Sequence, residues 1–106
     1  MPLTLKQKNH VVPIIQATTD PYLSEPYELV TDRDYTIITS TLTGAEQITI
    51  HIYDYAKDIF QPLKVNGDLI KMIVDYELLT FSGVSCIIKI EKTATVNPVG
   101  VTIVSR

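Results

Sequence analysis

The chain has 106 residues, with nine Lys+Arg against twelve Asp+Glu and a formal net charge of -3. That length holds one domain, and so mild an acidic balance excludes the basic stripe of an electrostatically driven nucleic-acid binder. Its 14 Ile, 10 Val and 13 Thr stand against four Ala, which excludes an all-helical bundle, because side chains stiff at χ1 fit strands and oppose helices.

Residues 1–26 differ from the rest. They hold four of the six prolines, Pro2, Pro13, Pro21 and Pro26, and no glycine. Each proline fixes φ and removes a backbone donor, so the stretch reads as extended and ill suited to a central strand. It also carries the apolar clusters Leu3/Leu5 and Val11-Val12/Ile14-Ile15. Apolar clusters do not belong on a tail in water. The stretch is therefore expected to be an N-terminal arm that lies on its own domain or on a neighbour. Leu3, Leu5, Val11, Val12, Ile14 and Ile15 become candidate partner-binding residues. The alternative is a first strand, Val11 to Gln16, followed by a loop. The apolar stretch after Lys6, Lys8 and His10 is short and broken by Pro13, so no signal peptide is expected. No apolar run has the length of a membrane span. Synthesis in a cytoplasm and no membrane partner are the expectations.

Strand and turn signals alternate from Tyr27 onward. Glu28 to Thr31 reads as a short strand, ended by Asp32-Arg33-Asp34. Tyr35 to Thr41 is a second, and Thr43-Gly44-Ala45 turns the chain. In Glu46 to Asp54, Ile48, Ile50 and Ile52 point one way and Gln47, Thr49, His51 and Tyr53 the other. That is a half-buried strand with one wet or partner-facing side. Ile59 to Val65 is interrupted by Pro62, which places it at a sheet edge or a bulge. Asn66-Gly67 is the strongest hairpin signal, and Leu69 to Val74 returns from it. Leu78 to Phe81, Val84 to Glu91 and Val99 to Val104 complete the set. Seven or eight short antiparallel strands are expected over residues 27–106. Their spacing predicts an all-β fold, an immunoglobulin-like β-sandwich without the Cys…Trp…Cys core of antibody domains.

Chemical motifs are sparse. His10 and His51 are far apart and no Cys pair joins them, so no metal site is expected. The Asp-containing turns at Asp32-Arg33-Asp34 and Asp54 to Asp58 lack the pattern of a calcium loop. Cys86, the only cysteine, shares a strand face with Val84, Ile88 and Ile90 and reads as a small buried hydrophobe. Nothing sets two carboxylates across a cleft, and nucleophile-elbow, Walker and dinucleotide motifs are missing. No catalytic residue and no cofactor are expected. Six tyrosines remain, and Tyr53-Asp54-Tyr55 at a strand end is a candidate contact site for protein or glycan.

The order of these signals resembles a known group. Gly44-Ala45-Glu46-Gln47-Ile48-Thr49-Ile50 leads to Phe60-Gln61-Pro62-Leu63 and Asn66-Gly67. Leu78-Leu79-Thr80-Phe81-Ser82-Gly83 follows, then Lys89-Ile90-Glu91-Lys92-Thr93-Ala94-Thr95 and Val99-Gly100-Val101. Over about residues 44–101 this is similar to small bacteriophage virion proteins with an Ig-like sandwich, which decorate capsids or form collar and fibre parts. Cys86-Ile87 stands where that group has an aromatic-Arg pair, and Gly83 lacks its preceding Pro. The resemblance implies a non-catalytic structural role in a virion assembled in a host cytoplasm. Its implied partners are the major capsid protein, a portal or tail neighbour, or further copies in a homo-oligomer. The alternative is an adhesion module for a host-surface glycan or protein.

Overall fold

In the last strand of the chain, Val99, Val101, Ile103 and Ser105 are buried while the residues between them are half-buried. This is the period of two that a strand shows when one face lies on a core. A computed structural model describes residues 3–5, 10–69, 71–72 and 78–106. Among the described residues there is no helix, and thirteen strands occur. They are β1 (Leu3–Thr4), β2 (His10–Thr18), β3 (Tyr22–Leu23), β4 (Tyr27–Leu29), β5 (Asp34–Thr39), β6 (Ile48–Asp54) and β7 (Ile59–Pro62). After them come β8 (Lys64–Val65), β9 (Asp68–Leu69), β10 (Lys71–Met72), β11 (Leu78–Ser82), β12 (Cys86–Lys92) and β13 (Val99–Ser105).

Eight of these strands carry the architecture. β2 pairs with β13, β4 with β12, β5 with β11, and β6 with β7, all antiparallel. Each strand of the first half thus meets its counterpart in the second, as in one long hairpin ribbon with its tip at the β6–β7 turn. Rolling that ribbon adds the antiparallel pairs β13·β5 and β12·β6. Two sheets result, a four-stranded one in the order β11-β5-β13-β2 and a larger one built on β4, β12, β6 and β7. β10 continues along the β7 edge of β6, after the β8–β9 hairpin. β3 adds to β12, and β1 joins β4 in a parallel pair.

This connectivity is that of a jelly roll, the two-sheet Greek-key form of an all-β domain. It corrects the immunoglobulin-like order expected from the sequence. In that order the first, second, fifth and fourth strands share a sheet. Here the first of the eight lies with the third, sixth and eighth. Over residues 27–106 the described residues form ten strands, β4 to β13, where seven or eight were expected, and turn signals are silent on which strands meet.

The two sheets share one core. Ile15, Ile37, Val101 and Ile103 of the four-stranded sheet cluster with Leu29, Ile48, Ile50, Ile88 and Ile90 of the larger one. Asn66 and Gly67 both take positive φ, 54° and 86°, as the predicted two-residue turn of β8–β9 demands. Pro62 lies at a sheet edge opposite His51, where its missing N–H costs no ladder bond. Ile70, Ile73 and Val74 of the predicted Leu69-to-Val74 return lie outside the described residues.

The N-terminal arm is also corrected. Residues 10–18 are β2, an integral edge strand, which is the alternative reading of Val11 to Gln16. Ile14 and Ile15 are 7% and 2% exposed, and Leu5 5%. Two consecutive isoleucines face the core because the register slips between Thr102↔Pro13 and Val101↔Ile15. Ile14 is the extra residue of a β-bulge, and the bulge turns both side chains inward.

Two contacts fix how the chain crosses between sheets. The Tyr35 side chain is fully buried at the start of β5. Its hydroxyl accepts the Val30 N–H at 2.9 Å and donates to the Leu5 carbonyl. One phenol thus satisfies two backbone groups on the β4–β5 crossover and the chain after β1. At the other end of the sheet, Gly100 lies against β2. A Cβ there would sit 3.0 Å from the Ile15 carbonyl oxygen and 3.1 Å from the Ala17 nitrogen.

Tyr35→Phe keeps the ring and strands both backbone groups. We expect a loss of about 1–3 kcal/mol in urea unfolding. Gly100→Ala forces β13 off β2 and is expected to cost about 1–3 kcal/mol by the same measurement. A neutral Gly100→Ala variant would show that the close approach relaxes freely.

Candidate functional site

The outer face of the larger sheet brings several aromatic rings and charged side chains together. β6 alternates Ile48 and Ile50 inward with His51 and Tyr53 outward. β12 puts Ile88 and Ile90 on the core, leaving Ile87, Lys89 and Glu91 outside. Register sets Lys89 beside His51 and Tyr53 beside Phe60. Pro26, Tyr53, Phe60 and Ile87 line a shallow cup of about 300 Å³.

The cup is organised by edge contacts between rings. Tyr53 meets Tyr55 at 4.8 Å between centroids with planes at 90°, and Phe60 at 5.2 Å and 60°. Edge-to-face pairs bring the positive rim of one ring to the negative face of another. The Lys89 ammonium lies 4.6 Å from the Phe60 centroid, a cation–π distance. His51 Nε2 lies 3.0 Å from Glu91 Oε1, which closes one side of the patch with an ion pair when the imidazole is protonated.

Asp54 builds the loop that carries Tyr55. Its Oδ1 accepts the N–H groups of Ala56 and Lys57 at 3.0 and 3.3 Å, and its Oδ2 accepts Gln61 Nε2 at 2.7 Å. The Asp58 N–H donates to the Asp54 carbonyl at 2.8 Å, and Asp58 takes a positive φ of 58°. The carboxylate is spent on an Asx-type turn. Among the described residues, no three His, Cys, Asp or Glu side chains come together as a metal site.

Of the candidate residues, Tyr53 and Tyr55 meet on this outer face, while Leu5, Ile14 and Ile15 come together in the core. Leu5, Ile14 and Ile15 are interior and unavailable to a partner. Val12 packs against the core, and Val11 is 60% exposed on β2, in the other sheet. Leu3 lies in β1, its backbone beside Tyr27. Sequence reasoning missed Pro26, Phe60, Ile87 and Lys89. The outward position of Ile87 and Lys89 was readable, since they alternate with Ile88 and Ile90. The meeting of Lys89 with Phe60 was not, because it depends on the registers of β12, β6 and β7.

The remaining ionisable side chains with shifted behaviour serve the fold. Lys92 is 1% exposed. Its Nζ donates to the Asp20 carbonyl at 2.8 Å, the Thr93 carbonyl at 3.0 Å and Thr95 Oγ1 at 3.1 Å. All three donors of the ammonium are placed. Burial lowers its pKa, and the nearby Glu46 and Asp20 charges oppose that. Burial raises the pKa of Cys86, which keeps it a thiol. Glu46 accepts the Thr43 N–H at 2.8 Å and the Val96 N–H at 2.7 Å. Those bonds, Thr43 foremost, hold its carboxyl below the ordinary 4.5.

Compared with models of protein families, with curated proteins and with solved structures, the chain matches none.

The lowered Glu46 pKa fixes a direction of pH dependence. Its contribution to stability is complete above the ordinary carboxylate value and is lost as pH falls through the lower, folded one. Glu46→Gln should therefore destabilise clearly at about pH 7 and much less at about pH 3. Paired urea melts at the two pH values measure this. A difference that grows on acidification would contradict it.

Proposed function

We propose that the protein is a non-catalytic structural component of a bacteriophage virion. It acts as a capsid-decoration or head–tail accessory protein through contacts with the major capsid protein or a portal or tail neighbour. The observation that carries this reading is the outer face of the larger sheet. It offers a shallow aromatic surface flanked by charges, the composition of a protein-contact patch. The buried or loop-building polar groups Asp54, Glu46 and Lys92 are each committed to holding backbone. The resemblance of about residues 44–101 supports the same class. The rolled-ribbon strand order moves the architectural analogy from immunoglobulin-like sandwiches to jelly rolls, an architecture of viral capsid and lectin domains. That support is analogy of fold.

A second reading, an adhesion module, is favoured by one feature. The cup of Pro26, Tyr53, Phe60 and Ile87 with Lys89 beside it offers rings for stacking and a cation at the rim. The two readings separate on one double variant. In Tyr53→Ala/Tyr55→Ala, co-sedimentation with virus particles lacking the protein should weaken about tenfold or more. Unchanged particle binding, together with a gene neighbourhood of metabolic rather than capsid, portal or tail genes, would overturn the virion reading. Glycan-array binding abolished by the same variant would establish the second.

A further inference from the structure

The two edges of the four-stranded sheet are built differently. β2 carries Pro13 and two register slips, which blunt an edge against further pairing. β11, at the opposite edge, has neither. It runs Leu78-Leu79-Thr80-Phe81-Ser82 with no charge, proline or glycine. Among the described residues it pairs with β5 alone. Leu78 is 58% exposed, beside Ile38 at 40%. Leu79 and Phe81 pack on the core yet remain half-exposed. A five-residue strand of this composition is about 17 Å long, and among the described residues its second edge has no strand beside it.

We propose that β11 is a self-association edge, and that its partner is β11 of a second copy, paired antiparallel across a twofold axis. Centring the axis on Thr80 sets Thr80 against Thr80, Leu79 against Phe81 and Leu78 against Ser82. Every pair is then uncharged. Leu79 and Phe81 of one copy extend the half-exposed end of the other copy's core. Two copies of net charge -3 repel wherever acidic side chains meet, and the five residues of β11 carry none. The four strands of the sheet contain a single Asp, Glu, Lys or Arg, namely Asp34, paired with Ser82 at the end of β11. The product is one continuous eight-stranded sheet with an isologous interface. This stands apart from the aromatic patch, which lies on the other sheet.

Sedimentation equilibrium of the full chain between about 1 and 500 μM tests it. The expected result is a monomer–dimer equilibrium that Thr80→Lys weakens at least about tenfold, since two lysines would face each other on the axis. Val11→Lys, on the opposite edge strand, should leave the equilibrium unchanged. Hydrogen exchange of the unmodified protein gives a second readout. The amides of Leu78 to Ser82 should exchange more slowly as protein concentration rises. A monomer throughout, a dimer indifferent to Thr80→Lys, equal weakening by Val11→Lys, or concentration-independent exchange in β11 would each overturn the proposal. A Tyr53→Ala/Tyr55→Ala variant that loses particle binding and keeps the dimer separates this edge from the functional surface.

Discussion

The fold depends on the last strand lying in the middle of a sheet. β13 pairs with β2 on one side and β5 on the other, and its Val99, Val101 and Ile103 have no exposed surface. The four-stranded sheet therefore has no centre until the C-terminal residues are in place. Pairing of distant segments pays loop-closure entropy before contacts repay it, which makes such a topology slow to form. Gly100 is where this constraint is tightest, since β2 comes within Cβ contact of it. The slips of β2 belong to the same geometry, because they let an edge strand carrying a proline follow β13 and still bury two adjacent isoleucines.

A rolled ribbon must cross repeatedly between sheets, and each crossing leaves backbone groups without a ladder. The chain satisfies them with single buried polar side chains. Tyr35 serves Val30 and Leu5. Ser24 Oγ accepts the Ile90 N–H at 2.9 Å and donates to the Glu25 carbonyl at 2.9 Å, where β3 gives way to β4. Glu46 gathers the Thr43 and Val96 amides, and Lys92 the Asp20 and Thr93 carbonyls. Among the described residues no buried side-chain nitrogen or oxygen is left without a partner. An unpaired buried polar group costs more than a hydrogen bond returns. These side chains are thus held by the fold, and the chemistry free to meet a partner is what stands on the outer faces.

Local signals in the sequence are reliable where the physics is local. The shared face of Cys86, Ile88 and Ile90 and the Asn66-Gly67 turn appear as read. In β6 the alternation holds in part: Ile48 and Ile50 are buried, but so is Thr49, and Ile52 is as half-buried as His51 and Tyr53. Pro62 marks an edge because a missing donor has the same consequence in any sheet. The failures share one cause. Val11-Val12 and Ile14-Ile15 break the period of two and so read as sticky surface, but a bulge turns Ile14 and Ile15 into the core while Val11 stays exposed. Strand order was unreadable because every antiparallel sandwich of this size uses the same turns and alternations. The aromatic site was half legible. Tyr53 and Tyr55 lie two residues apart in sequence, whereas Phe60 and Lys89 join them only through the register of three strands.

Folding also sorts charge in a way the overall composition hides. One residue in five is charged, yet the four-stranded sheet has only Asp34, while the outer face of the larger sheet bears Lys89, Glu91 and Glu28 around its rings. The two faces therefore obey different rules of association. The charged aromatic face can discriminate partners by complementarity, since a mismatched charge there is costly. The four-stranded sheet, with Asp34 as the one Asp, Glu, Lys or Arg in its strands, and its β11 edge have little charge to discriminate by, so any selectivity there rests on ladder register and side-chain fit. As proposed, a small domain with one surface of each kind would join copies of itself through one and hold a different protein through the other. Linking several weak contacts in this way raises their combined strength without enlarging any of them.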